Sequence, residues 1–122
     1  MPGIQQTVII FSPEFAARRE VATRWMTAYI RGSRDYNDAL VKNHHRQMTV
    51  DALAKNLSVD PNMFDGMSFA HIDPDGRLNL TAIDAQMRWS FQMGYLTSPV
   101  DLTRVVDPSF AKAAVAALGP YE

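Results

Sequence analysis

Thr7-Val8-Ile9-Ile10-Phe11-Ser12-Pro13-Glu14-Phe15 is the stretch on which the reading of this chain turns. Its first five residues are β-branched or aromatic and are closed by Ser-Pro, the pattern of a short buried strand. Ser12 then offers an N-cap, Pro13 fits the first helical position, and Glu14 lies beside the positive end of the helix dipole. The stretch therefore predicts a strand over residues 5–11 handing over to helix at residue 13. No second segment of comparable strand quality follows, and a single strand leaves its N–H and C=O groups without a ladder. The expected fold class is mostly α, with residues 13–122 helical and one orphan strand in front of them.

Working outward, Phe15, Ala22, Trp25, Met26, Tyr29, Tyr36 and Leu40 recur at helical spacing. They predict a long helix to about Val41, or a pair of helices broken near Gly32-Ser33. Its outer face carries Arg18, Arg19, Arg24, Arg31 and Arg34, expected to be solvated and partly paired with Glu14, Glu20, Asp35 and Asp38. Thr49 is placed to cap a short helix through Leu57, and Asp60-Pro61 to start a brief turn around Met63 and Phe64. A further helix is expected over residues 82–93, ended by Gly94, and a last one over residues 109–118, stopped by Gly119-Pro120.

At 122 residues, with 47% hydrophobic and 20% charged residues, the chain amounts to one domain at most and carries enough apolar material for a core. A net charge of −1 argues against a dedicated nucleic-acid or membrane-surface binder, which needs a cationic field. The absence of cysteine rules out disulfides, zinc-thiolate sites and thiol catalysis. No basic leader precedes the short apolar run from Val8 to Phe11, so the sequence as written predicts neither a signal peptide nor a membrane span and would stay in the cytosol.

His71-Ile72-Asp73-Pro74-Asp75-Gly76-Arg77-Leu78-Asn79-Leu80-Thr81-Ala82 raises the question of calcium. Laid on a calcium-binding loop, it puts His71 where an acidic oxygen is needed and Ala82 where the bidentate glutamate belongs. A turn explains the same residues better: Asp73, Pro74, Asp75 and Gly76 form it, and Thr81 caps the next helix with Asp84 three residues on. His44 and His45 are adjacent and diverge by about 100° on a helix, so they do not chelate one metal. No phosphate loop, nucleophile elbow or spaced carboxylate pair is present. The reading is a non-enzyme with no catalytic residue, no metal ligand and no cofactor. Trp25 is expected in the core, and Trp89 on a second packing surface or facing a partner.

Taken in order, several segments carry a family resemblance: Ser12-Pro13-Glu14-Phe15, Ala28-Tyr29-Ile30-Arg31-Gly32, Arg34-Asp35-Tyr36-Asn37-Asp38-Ala39, Ile72 to Leu80, Gln92-Met93-Gly94-Tyr95-Leu96, Pro99-Val100-Asp101-Leu102 and Val106-Asp107-Pro108-Ser109-Phe110 before Ala117-Leu118-Gly119. In this succession the chain resembles the C-terminal part of the nitrate/sulfonate/taurine-type substrate-binding proteins of bacterial ABC importers. The resemblance implies the helical C-terminal portion of a two-lobed periplasmic-binding-protein fold, a periplasmic location and delivery of small anionic or organic solutes to a membrane permease. The family's ligand contacts lie mostly in segments that would precede this one, so it assigns no ligand-binding residue here. The expected function is that of a truncated solute-binding domain without a complete cleft, meeting the permease only as part of a complete binding protein. Val8, Ile9, Ile10 and Phe11 then become a self-association strand, because an exposed hydrophobic edge invites a second copy and predicts a homodimer or higher oligomer. The alternative is a small helical interaction or regulatory protein that uses its arginine-rich first helix.

Overall fold

The computed structural model describes residues 4–122. Helix accounts for 59% of them, and no strand occurs among the described residues. The elements are α1 (Pro13–Ala17), α2 (Arg19–Leu40), α3 (Arg46–Leu57), a 3₁₀ turn (Pro61–Phe64), α4 (Leu80–Gln92), α5 (Leu102–Val105) and α6 (Ser109–Leu118).

The strand expected over residues 5–11 is corrected by the structure: the segment from Ile4 to Phe11 is irregular chain. A β-ladder needs a second backbone, and the described residues supply none. Side chains anchor the segment instead. The Gln5 carbonyl accepts a bond from Gln86 Nε2 at 3.2 Å, and Gln5 Oε1 accepts from the Asn79 backbone N–H at 3.0 Å. At the other end the Phe11 ring meets Phe15, Trp25 and Phe110 edge-on, with centroids 4.9, 5.5 and 5.2 Å away.

Ser12 caps α1 by accepting from the Phe15 N–H, with Pro13 in the first turn. The helix then breaks at Arg18, at φ −79° and ψ 60°, whereas α2 runs unbroken through Gly32-Ser33. Nothing in the local residue types disfavours helix at Ala16-Ala17-Arg18. The break accompanies the seating of Phe11 between Phe15, Trp25 and Phe110, a tertiary preference that overrides local propensity.

Helix α2 is the spine. It packs chiefly on α6, with Ala22, Ile30, Phe110 and Ala114 buried on the two helices. Ala22 and Ala114 keep the facing surfaces small, Ile30 is fully buried with them, and Arg19 lies 4.0 Å over the Phe110 ring to close one end. A second cluster forms where α3 returns along the far end of α2. There Val50, Ala54 and Phe64 are buried under Leu40, Leu53, Val59 and Phe69. Helix α3 begins at Arg46 behind His45 at φ 53°, so Thr49 lies inside the helix rather than capping it.

Helix α4 has no buried residue. Its N-cap is Asn79, whose side chain accepts from the Ala82 N–H, so the cap expected at Thr81 is corrected by two residues. Asparagine is the stronger capping residue of the two, and starting at Leu80 extends the helix upstream. Asp84, expected to complete that cap, instead pairs with Arg88 at 2.6 Å.

Candidate functional site

Three places bring chemistry-bearing residues together. The first is a seam between α2, the chain from Ala70 to Gly76, and the C-terminal tail. Asp73 Oδ1 accepts from the Asp75 N–H at 2.9 Å and the Arg77 N–H at 3.1 Å, while Gly76 donates its N–H back to the Asp73 carbonyl at 3.0 Å. Gly76 has φ +68°, the left-handed backbone that glycine adopts without a steric penalty. Partial burial raises the Asp73 carboxyl, but the Arg77 and Asp75 donors outweigh it and hold the group below the usual aspartate range.

Three polar residues of α2 stitch this turn down. Tyr36 donates its hydroxyl to the Ala70 carbonyl at 2.9 Å, and Asn37 Nδ2 donates to the Ile72 carbonyl at 2.8 Å. Arg34 Nη2 donates both to Asp75 Oδ1 and to the Gly119 carbonyl, each at 2.8 Å. Beyond Gly119, Tyr121 donates its hydroxyl to Asp38 at 2.8 Å and lays its ring under the Lys42 ammonium at 4.0 Å. The Tyr121 hydroxyl is the main cause that holds the Asp38 carboxyl below its ordinary value. Every carboxylate and cation named in this seam is committed to another residue. Its geometry is that of a clasp that fixes turn and tail to the spine, in which Arg34 Nε is buried without a hydrogen-bond partner.

The second place is an open groove of about 650 Å³ between α4 and α5, lined by Leu80, Asp84, Met87, Arg88, Val100 and Leu102 among others. Asp84 and Arg88 neutralise each other, and Asp101 at its rim accepts from the Thr103 N–H and hydroxyl as the cap of α5. The groove presents apolar walls around paired charges and no converging nucleophile, acid or base. Among the described residues no group of three or more His, Asp or Glu side chains is placed to hold a metal ion. His44, His45 and His71 are all exposed.

The third place is apolar surface. Val8, Ile9 and Ile10 are 49%, 39% and 84% exposed. Phe11 is half-buried in the aromatic cluster. No backbone–backbone hydrogen bond engages residues 8–10 among the described contacts. On α4 and just past it, Trp89, Met93 and Tyr95 are exposed, with the Trp89 and Tyr95 rings tilted together at 5.8 Å. Trp25, expected in the core, is instead 44% exposed, although it stacks on Tyr29 at 5.8 Å and meets Phe11.

The five arginines of the first helical stretch divide. Arg34 is drawn inward to Asp75 and Arg19 reaches Asp107 at 3.3 Å, rather than either pairing with the acidic residues interleaved around them. Arg18, Arg24 and Arg31 stay exposed. What sequence reasoning missed is the polar clasp. Asn37 stands seven residues after Ile30, on the core face of α2, and a buried amide there needs partners beyond the helix ladder: it donates to the Ser33 carbonyl within the helix and to the Ile72 carbonyl outside it, whereas Ser33 is satisfied by the Tyr29 carbonyl. That was the available signal. Comparisons with protein-family models, curated proteins and solved structures found no match. Among the described residues no helix is long and apolar enough to cross a membrane.

Proposed function

We propose that this chain is the helical closing part of a two-lobed solute-binding protein of the nitrate/sulfonate/taurine type, non-catalytic, and serving an ABC importer for small anionic or organic solutes when joined to the rest of that fold. The observation that carries the reading is incomplete packing. Among the described residues the buried hydrophobic ones are Ala22, Ile30, Ala39, Val50, Ala54, Phe64, Phe110 and Ala114, and half of these eight are alanine. The accessible surface is 9094 Å² for 13.7 kDa, about 2,500 Å² above the roughly 6,600 Å² expected of a self-contained globular chain of that mass. Such a surplus is what one part of a larger fold exposes when it stands alone.

The order of the resembling segments supports the same reading, and so does a seam built to hold a turn and a tail rather than a ligand. On this account the solute is recognised elsewhere in the complete protein, and this part contributes the packed wall of α2 and α6. The test is reconstitution. A taurine-type binding protein lacking the segment that corresponds to Thr7–Gly119 is mixed with this chain, and the mixture is followed by light scattering and by calorimetric titration with nitrate, taurine and an alkanesulfonate. A one-to-one complex that regains solute binding is expected. A folded chain that ignores the truncated receptor overturns the proposal.

A further inference from the structure

We infer that Asp65 is a site of spontaneous covalent modification, at which the side chain closes on the Gly66 amide nitrogen to a succinimide that reopens to an isoaspartyl linkage. The inference does not depend on the solute-binding reading. The chain contains the dipeptide Asp-Gly twice, at Asp65-Gly66 and at Asp75-Gly76, and the fold treats the two copies oppositely. Glycine after the aspartate matters because it has no Cβ to obstruct the approach of its nitrogen to the neighbouring carboxyl carbon. What separates two copies of the same dipeptide is whether carboxyl and N–H are free to meet.

At Asp75-Gly76 neither group is free. Asp75 Oδ1 accepts from Arg34 Nη2 at 2.8 Å, Oδ2 lies 3.5 Å from Arg77 Nη2, and the Gly76 N–H donates to the Asp73 carbonyl at 3.0 Å. Gly76 also lies against Ile30 and Ala111, which a Cβ there would meet at 3.5 and 3.8 Å, so the turn has little room to rearrange.

At Asp65-Gly66 both groups are free. The two residues are exposed, and a Cβ on Gly66 would meet nothing within 4 Å. Among the described contacts the Asp65 carboxylate has no hydrogen bond or ion pair, and the Gly66 N–H has no acceptor. The chain before this point is held, because the Asp65 N–H donates to the Asn62 carbonyl at 3.1 Å and the Phe64 carbonyl accepts from Arg46 Nη2 at 2.9 Å. Residues 66–68 have no backbone–backbone bond among the described contacts, so the peptide after Asp65 can turn its nitrogen onto the carboxyl carbon.

The chemistry needs no reactant beyond water. The Gly66 nitrogen bonds to Cγ of the protonated Asp65 carboxyl, the Cγ–OH bond breaks, and the hydroxyl and the amide proton leave together as water. Water then reopens the ring. Addition at Cγ breaks the new bond and restores aspartate; addition at the backbone carbonyl carbon breaks the original peptide bond, so the main chain runs through Cβ and Cγ and the α-carboxylate becomes the side group. The lengthened link falls between Phe64, buried with Val50 and Ala54, and Phe69, whose ring stacks on Phe64 at 6.3 Å. Isomerisation therefore loosens the cluster beneath α3.

One tryptic peptide, residues 56–77, carries both dipeptides, so their reactions are compared within one molecule. The full chain is incubated in warm, mildly acidic buffer, both folded and in urea, and electron-transfer fragmentation of that peptide places each isoaspartate at its residue. In the folded chain isoaspartate is expected at Asp65 about tenfold or more faster than at Asp75, where bonds to a charged group must open first, together with a transient species lighter by one water. In urea the two sites are expected to react at similar rates. Asp65→Glu keeps the charge at an exposed position but must close a larger, slower-forming ring, and is expected to lose the water-loss species while its circular dichroism matches the parent. Equal isomerisation of the two sites in the folded chain overturns the inference, and so does a folded chain in which Asp65 stays intact. A preference for Asp65 that persists in urea overturns it too, because the fold would then not be what selects the site.

Discussion

Removing Arg34 should loosen the clasp more than any other single polar substitution. Its side chain is 12% exposed and that of Asp75 20%, so the 2.8 Å ion pair between them is poorly screened. Nη2 also holds the Gly119 carbonyl, and the guanidinium lies 5.6 Å from the Tyr121 ring centre. Arg34→Met keeps most of the apolar stem and deletes only the polar head. A hydrogen bond to a charged group contributes about 1.5–3 kcal/mol, and the two bonds share one nitrogen, so their joint loss is about 3–4 kcal/mol. Against this, Arg34 Nε is buried without a hydrogen-bond partner, and removing an unsatisfied donor returns about 1 kcal/mol.

The net expectation is a loss of about 2–3 kcal/mol, read as a lower urea midpoint with unchanged slope in far-ultraviolet circular dichroism. Asp75→Asn should cost less, because an asparagine Oδ1 can still accept from Arg34 Nη2, which also keeps its bond to the Gly119 carbonyl. The double variant should be less damaged than the sum of the singles by about 1–2 kcal/mol, since each single leaves the other partner's charge unanswered. Additivity within about 0.5 kcal/mol, or an Arg34→Met that unfolds like the parent, would refute the clasp.

Gly32 sits inside α2, and a Cβ added there meets nothing within 4 Å, so Gly32→Ala should stabilise the chain by about 0.5–1 kcal/mol in the same urea assay. Asn79→Ala should cost about 1 kcal/mol and Thr81→Ala much less, because the cap of α4 is Asn79; equal effects would contradict that assignment. Phe110→Ala, at a ring 4% exposed and shared by Phe11 and Arg19, should cost about 3–5 kcal/mol by thermal or urea unfolding. Asp38, Asp73 and Asp107 are all held below the ordinary aspartate value of 3.8. Their stabilisation is therefore complete above that value and lost as pH falls through their lowered folded values. Stability should stay flat from neutral pH to about 5 and fall below about 4, with Asp73→Asn making the fall shallower in a series of urea curves.

The helical class was legible because it rests on spacing along the chain. Ser12-Pro13, Gly94 and Gly119 punctuate helices by their own backbone chemistry, and that chemistry operates wherever the segment is placed. The strand was misread for the converse reason. The side chains of Val8 to Phe11 suit a strand, but a strand is a relation between two backbones, and one sequence segment carries half of it. The break at Arg18 and the inward turn of Arg34 were equally out of reach, because both depend on Phe110, Asp75 and Gly119, which are distant along the chain. The cap of α4 was within reach: Asn79 stands two residues before Thr81 and is the better capping residue. The candidate site was legible only as a turn, since its partners on α2 are polar residues hidden within a helical repeat.

The central claim is that this chain's own core is incomplete. The most direct measurement is the urea unfolding of the unmodified chain followed by far-ultraviolet circular dichroism. The slope of that transition scales with the surface exposed on unfolding, so a chain that already exposes about 2,500 Å² more than a self-contained fold should unfold with a slope well below that of a self-contained domain of its length. A steep, cooperative transition with the slope of a self-contained domain would mean that the eight hydrophobic residues buried among the described ones suffice alone, and would contradict that claim.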